Sequence, residues 1–391
     1  MFHTLNPRPD LELEPSSPGA IADLLNHPHL LILTLHELDS VTHASWEGLY
    51  QQIVKYIKQN QISLVVIDRT GEPRELDANQ DCAPNDLAIR DAIAKVCSTV
   101  IITDDYSEYT TPQPNVVCFP YNLWLLATKN VHKYYAFDKT VYDTDLQKQQ
   151  PLLCLNRNLH WHRIVVYLEL IKKPWVNDVV YSFIRNLNAM DLDWLRRDLT
   201  SAELDSLESH RSKFPIVLEH ERAHANPWSP MAHNGRDGSL NTNHIRCGYQ
   251  NGGSSVNLPM YQTTAINFIT EVSLNHGVVL TEKTAKAFMA YQIPLLLAPP
   301  GANTWLQSLG LDMFADYVPW QTWDHLTDHR HKIQLIFSWL DRVMMNPKAI
   351  VAYHTESHNR LLHNKQYFHS KEFENKLLAP LRDYSRSSSC A

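Results

Sequence analysis

Two periodic patterns of apolar and polar residues, one typical of strands and one typical of helices, alternate along this chain. Their order predicts an α/β fold. Short β-branched apolar runs are typical of buried strands, whereas apolar residues three and four positions apart predict amphipathic helices. In the first 150 residues, helical patterns over 46–59 and 85–96 separate strand-like runs at 30–35, 63–68, 98–103 and 115–120. This alternation predicts a parallel sheet with crossover helices.

The second half of the chain repeats the alternation and then becomes helical. Strand-like runs occur at 152–155, 265–270 and 293–299, and helical patterns occur from Trp161 and over 188–199, 281–292, 302–310, 329–346 and 372–384. A single core seldom exceeds about 250 to 300 residues, so two Rossmann-like domains are expected. We place them at 1–149 and 150–345, followed by a helical tail over 346–391.

Composition narrows the classes of protein that remain. The 44% of hydrophobic residues argues against disorder, and the net charge of −7 argues against affinity that rests on broad phosphate neutralisation. The six cysteines contain no CxxC motif, which favours a reducing compartment. The first residues have no apolar leader and no run is long enough to span a membrane, so a cytoplasmic protein is expected. The sequence does not indicate an oligomeric state.

A corner between strand and helix carries the first chemical signal. The apolar run over 265–270 ends at Glu271, and a helix is predicted to open on Thr281, Glu282 and Lys283. Thr281 is a good N-cap residue, and a helix start presents unpaired backbone N–H groups and a partial positive charge. Lys283 adds a full charge, so the corner is suited to a phosphate. A charged first turn is also ordinary helix capping.

A second corner lies after the strand at 152–155. Asn156 and Arg157 end this strand, and Arg163 stands in the first turn of the helix that follows. A guanidinium presents a planar set of donors that fits phosphate oxygens and keeps its charge at all relevant pH values. Both arginines are also common as surface groups at the start of a helix.

The order of these two motifs resembles the donor-binding region of the alpha-1,3-fucosyltransferase family and its phage and bacterial relatives. The resemblance covers about residues 150 to 345 and rests on Glu271, the Thr281-Glu282-Lys283 triplet, Ala287, Pro294 and the arginine corner. It implies a GT-B-like glycosyltransferase, with an acceptor-side first domain and a nucleotide-sugar donor-binding second domain facing a central cleft. The triplet Ile269-Thr270-Glu271 departs from the family pattern, which puts the identity of the sugar in doubt.

The resemblance also implies roles for individual residues. The donor pyrophosphate is expected to contact Arg157, Arg163 and Lys283, whereas Glu271 and Glu282 are expected to bind sugar or ribose hydroxyls or to orient Lys283. Inversion at the anomeric carbon requires a general base from the first domain. The candidates follow the strand at 98–103 and are Asp104, Asp105 and Glu108. Asp residues at strand ends are also ordinary turn residues.

Other functions stay open at this point. The chain has no GxGxxG or P-loop sequence, which argues against classical dinucleotide binding and against a P-loop NTPase. His160, His162, His325, His329 and His331 have suggestive spacings but lack the Cys or carboxylate partners of a zinc site, so they are expected to be solvated or on helix faces. No metal or other cofactor is expected beside the nucleotide-sugar co-substrate. A GT-A enzyme that binds a divalent ion through Asp pairs is a minor alternative. The acceptor is a glycan or, in a phage-type enzyme, a hydroxylated DNA base; a non-catalytic binding module is the third hypothesis.

Overall fold

The protein is described by a computed structural model. The residues it describes are 3–6, 14–15, 30–34, 51, 53–68, 93, 95–103, 116–120, 148–156, 160–183, 193–214, 216, 218, 259–272, 274 and 280–388.

The first half of the chain forms a six-stranded sheet in the order β2-β1-β3-β4-β5-β6. Its strands are β1 His3–Asn6, β2 Glu14–Pro15, β3 Leu30–Thr34, β4 Leu64–Asp68, β5 Ser98–Thr103 and β6 Val116–Pro120. Strands β3 to β6 pair in parallel in chain order, which confirms the predicted parallel sheet. The β1–β2 hairpin, whose pairing is antiparallel, was not predicted.

The second half contains a four-stranded sheet in the order β10-β9-β7-β8. Its strands are β7 Gln150–Asn156, β8 Val179–Phe183, β9 Thr264–Thr270 and β10 Ile293–Leu297. All three pairings are parallel. Strands β9 and β10 are buried along their whole length, as expected where helices cover both faces of a parallel sheet.

Nine helices with defined bounds accompany the second sheet or follow it in the described part of the chain. They are α1 Trp161–Leu170, α2 Ser201–His210, α3 Pro259–Thr263, α4 Glu282–Met289, α5 Ala302–Ser308, α6 His329–Val343, α7 Pro347–Glu356, α8 His358–Phe368 and α9 Lys371–Ser388. The predicted helices at 161, 281, 302, 329 and 372 are therefore confirmed. The helix predicted over 188–199 is wrong where it is described, because Asp193–Arg197 forms a 3-10 turn.

Apolar side chains from helices and strands form the core around the second sheet. Helix α7 packs against β7 and β9, and α4 packs against β10 and α8. The Phe288 and Phe368 rings, on α4 and α8, lie 5.9 Å apart between their centroids. This packing holds α4, α7 and α8 against the second sheet.

Contacts divide the chain into two compact units. The first comprises Met1–Leu123, Asn275–Val279 and Lys371–Ala391, and the second comprises Trp124–Leu274 and Leu280–Ser370. The domain limits at residues 149 and 345 stay predictions. Across the residues described, no helix has the length and apolar character that crossing a membrane requires.

Candidate functional site

The order of the second sheet creates a topological switch point between β7 and β9. From β7 the chain passes through α1 to β8 on one side, and from β9 it passes through α4 to β10 on the other. The connections after β7 and β9 therefore diverge, and ligands of open α/β sheets bind in the crevice that such a divergence leaves at the carboxyl ends of strands. We call the ends of β7 and β9, with the starts of α1 and α4, the switch-point edge.

Buried polar side chains join the two strands at this edge. The Thr270 hydroxyl at the end of β9 donates to the Asn156 side-chain oxygen at the end of β7. The Arg163 Nη2 on α1 donates to the Thr270 carbonyl oxygen at 3.0 Å. Arg163 is only 1% exposed, so its guanidinium is held inside the protein rather than on the surface. The predicted donor residues Asn156 and Arg163 thus lie together and position the end of β9.

Glu271 is a fully buried carboxylate that occupies the start of α4. It accepts hydrogen bonds from the Thr281 backbone N–H at 3.0 Å, the Thr281 hydroxyl at 2.7 Å and the Thr284 hydroxyl at 2.6 Å. The Thr281 oxygen in turn accepts from the Lys283 backbone N–H and from the Lys283 Nζ at 3.2 Å. Glu271 therefore orients Lys283 through Thr281, and the positive end of α4 holds an anion that belongs to the protein itself.

The start of α5 has the same arrangement with a different carboxylate. Asp324 accepts from the backbone N–H groups of Asn303 and Thr304, each at 3.0 Å, and from both of their side chains. The buried Lys332 Nζ donates to the Ala298 carbonyl oxygen at 2.9 Å, just after β10. Burial is the main cause that lowers the Lys332 pKa to about 8.

The start of α1 differs from those of α4 and α5. Its N-cap residue His160 makes no side-chain capping bond, and the first turn of α1 contains no acidic residue. Helix starts attract negative charge. Within the described part of the switch-point edge, α1 is therefore the helix whose start has no carboxylate of its own.

Two histidines lie at the start of α1, where His160 is half-buried and His162 is buried on the helix, so the expectation of a solvated side chain is wrong for His162. His162 is 1% exposed, and its Nε2 lies 2.8 Å from the Glu271 carbonyl oxygen. Because a carbonyl only accepts, Nε2 carries the proton, and burial is the main cause that lowers the His162 pKa well below its usual value. The neutral ring then leaves Nδ1 as a buried acceptor that has no partner among the described residues.

The His160 ring stacks against that of His162 with their centroids 5.5 Å apart. Burial, followed by the charges of Arg163 and Lys283, lowers the His160 pKa to about 3. The two cationic side chains, one from α1 and one from α4, are also both tied to the end of β9. Arg163 donates to the Thr270 carbonyl oxygen, and Lys283 donates to Thr281, whose hydroxyl is bound to Glu271.

Trp161, the first residue of α1, is fixed by groups from two other elements. The Arg330 guanidinium on α6 lies over the indole, 5.5 Å from the ring centroid. Arg330 donates to both carboxylate oxygens of Glu203 and, at 2.7 Å, to the Asp198 carbonyl oxygen. Trp161 nevertheless stays partly exposed.

The structure brings part of the predicted donor set together. Asn156, Arg163, Glu271, Thr281 and Lys283 all belong to the second unit and meet at the switch-point edge. Glu282 is the first residue of α4, but its side chain lies outside what is described. Arg157 and the candidate bases Asp104, Asp105 and Glu108 also lie outside the described residues.

Sequence reasoning did not assign a role to several side chains at this edge. Two of them, Arg330 and Asp324, are far in sequence from the motifs that they support. For Trp161 a signal existed, because the segment His160-Trp161-His162-Arg163 places aromatic and polar side chains next to one another at the start of a helix. The described residues contain no group of three or more His, Cys, Asp or Glu side chains that could hold a metal ion. No family model, curated protein or solved structure matches this chain.

Proposed function

We propose that this protein is an inverting glycosyltransferase of GT-B type, which moves a sugar from a nucleoside-diphosphate sugar to a hydroxyl of an acceptor such as a glycan. The observation that carries the proposal is that Arg163 and Lys283, from two different helix starts, are tied to the end of β9 at a topological switch point of a parallel sheet. Arg163 donates to the Thr270 carbonyl oxygen, and Lys283 donates to Thr281, which is bound to Glu271. Such a crevice is where α/β proteins bind nucleotides. The resemblance to fucosyltransferase-type motifs supports the same activity.

The chemistry of sugar transfer explains why fixed positive charge is needed here. The acceptor oxygen forms a bond to the anomeric carbon while the bond from that carbon to the diphosphate breaks, and the electron pair stays on the diphosphate. Cationic groups held in place before the reaction stabilise this developing charge more than they stabilise the ground state. Arg163, Lys283 and the dipole of a helix start would fill this role.

The diphosphate is best placed at the start of α1. The starts of α4 and α5 already hold the Glu271 and Asp324 carboxylates, which would repel a second anion. The start of α1 has no such carboxylate, and the charges of Arg163 and Lys283 act on its N-cap residue, His160. Glu271 then serves to orient Lys283 through Thr281.

The acceptor side of the proposal depends on the first unit. The acceptor hydroxyl must lose its proton, and Asp104, Asp105 and Glu108 are the carboxylates proposed to take it. The charge of the leaving diphosphate is met by protein cations in this scheme, so nucleotide binding is expected without an added metal ion.

Lys283→Ala tests the donor site directly. We expect the wild-type protein to be stabilised against heat by one or more of GDP, UDP, CMP and dTDP, because a ligand at about 100 times its dissociation constant adds about 2.7 kcal/mol. The variant should lose most of this stabilisation at the same nucleotide concentration, since it lacks a charge at the diphosphate. A thermal-shift panel measures both proteins.

The exposed Lys348 on α7 provides the matched control. Lys348→Ala should retain the wild-type response to nucleotide, which separates loss of one specific cation from loss of net charge. A wild-type protein that responds to none of the nucleotides would count decisively against the proposed function. An undiminished response in Lys283→Ala would remove Lys283 from the donor site.

A further inference from the structure

Trp161 stands at the start of α1, beside the proposed diphosphate position, and the donor site proposed above gives it no role. It is the first residue of α1, two positions before Arg163, and its indole is partly exposed. A large aromatic side chain gains stability by burial, and Trp161 keeps part of its surface open to solvent.

The surroundings of Trp161 hold its ring in one position. The Arg330 guanidinium lies over the ring, and the His162 ring meets it edge-on at a centroid distance of 5.7 Å. The His329 ring lies 6.4 Å away. Arg330 is itself fixed by Glu203, which also closes the capping box at the start of α2 with Thr200. A ring braced in this way loses little conformational entropy when a ligand stacks on it.

We propose that Trp161 is the stacking platform for the nucleobase of the donor, a proposal that rests on the glycosyltransferase function. A nucleotide carries an anionic group and a flat aromatic ring on one molecule. The first turn of α1 offers a partner for each, because the positive end of the helix attracts the anion and the partly exposed indole of Trp161 offers a flat surface to the base. Every base has a π-face, so stacking contributes affinity for purine and pyrimidine nucleotides alike.

The comparison of a nucleotide with inorganic pyrophosphate isolates this contact. Trp161→Ala should weaken the binding of GDP and UDP about ten-fold, because stacking of a base on an aromatic side chain contributes about this much to affinity. Its affinity for pyrophosphate, which has no base, should stay within about two-fold of the wild-type value if only stacking is lost. Trp161→Phe keeps a smaller ring and should lie between. Isothermal titration of the full chain gives all of these affinities.

Trp305 on α5 is also partly buried and serves as the control, since Trp305→Ala removes an indole without changing α1. Far-UV circular dichroism shows whether each variant is folded, and Trp161→Phe keeps the test decisive should the Ala variant unfold. If Trp161→Ala weakens the binding of GDP and of pyrophosphate equally, or weakens neither, the proposal that Trp161 is a stacking platform is overturned, whereas the proposed donor site is not. If the wild-type protein binds pyrophosphate as tightly as GDP, base recognition is also overturned. Absence of binding by both ligands would overturn the platform and the proposed function together.

Discussion

Glu271→Ala is expected to lower the free energy of unfolding by about 4 kcal/mol, since a buried group left without its charged hydrogen-bond partner costs about 1 to 3 kcal/mol. The substitution would leave the Thr281 backbone N–H and the Thr281 and Thr284 hydroxyls without their acceptor. It would also remove the anion from the positive end of α4. A loss of this size corresponds to a fall of about 10 °C in melting temperature for a unit of this length.

Glu271→Gln distinguishes the contribution of the side chain's shape from that of its charge to the free energy of unfolding. Gln keeps one acceptor oxygen but presents an amide N–H₂ toward groups that are themselves donors, so we expect a loss smaller than that of Ala but still measurable. Glu356 at the end of α7 is exposed, and Glu356→Ala should change stability by no more than about 0.5 kcal/mol. Urea unfolding followed by circular dichroism measures all three. Equal stability of Glu271→Ala and Glu356→Ala would contradict the role assigned to Glu271.

Local patterns were sufficient to predict three of the four strands of the second sheet and several of the helices around it, whereas β8 was not predicted. The run over 265–270 is β9, and the capping signal at Thr281 marks the start of α4. These features depend on residues a few positions apart. A strand needs a short β-branched apolar run, and an N-cap needs a hydroxyl next to the first turn.

The partners of the predicted site residues could not be read from local patterns. Glu271 reaches ten residues forward to Thr281, and Asp324 reaches back to the start of α5 across another loop. Which carboxylate occupies which helix start depends on how the loops fold back over the sheet edge. For this reason the sequence indicated a phosphate at the start of α4, where the structure has an internal carboxylate.

The burial of His162 could not be predicted from the sequence for a related reason. His162 lies in the first turn of α1, where polar residues are normally exposed. The chain places this start against the ends of β7 and β9, and the Glu271 carbonyl oxygen supplies a partner for His162 from 109 residues away. Burial there is a property of the switch point and not of the helix.

Acidification is expected to destabilise the protein from about pH 6.5 downward, well before its carboxylates titrate. Burial, the main cause, lowers the pKa of His160 to about 3, of His329 to about 4 and of His354 to about 4, and it lowers that of His162 well below 6.5. Below pH 6.5 the unfolded chain therefore binds more protons than the folded one. Stability is fully present above that pH and is lost as the pH falls toward the folded-state values.

His162→Gln identifies how much of this loss comes from the switch-point edge. A neutral buried imidazole costs about 1.4 kcal/mol per pH unit below 6.5, or about 2 kcal/mol at pH 5, and His329 contributes less because it is more exposed. The Gln amide can still donate to the Glu271 carbonyl but cannot take up a proton, so the variant should lose about 2 kcal/mol less than wild type between pH 6.5 and 5. The exposed His331 gives the control, since His331→Gln should follow the wild-type curve. Urea unfolding at each pH measures the difference, and parallel curves for His162→Gln and wild type would show that His162 is not the neutral buried group that its contacts require.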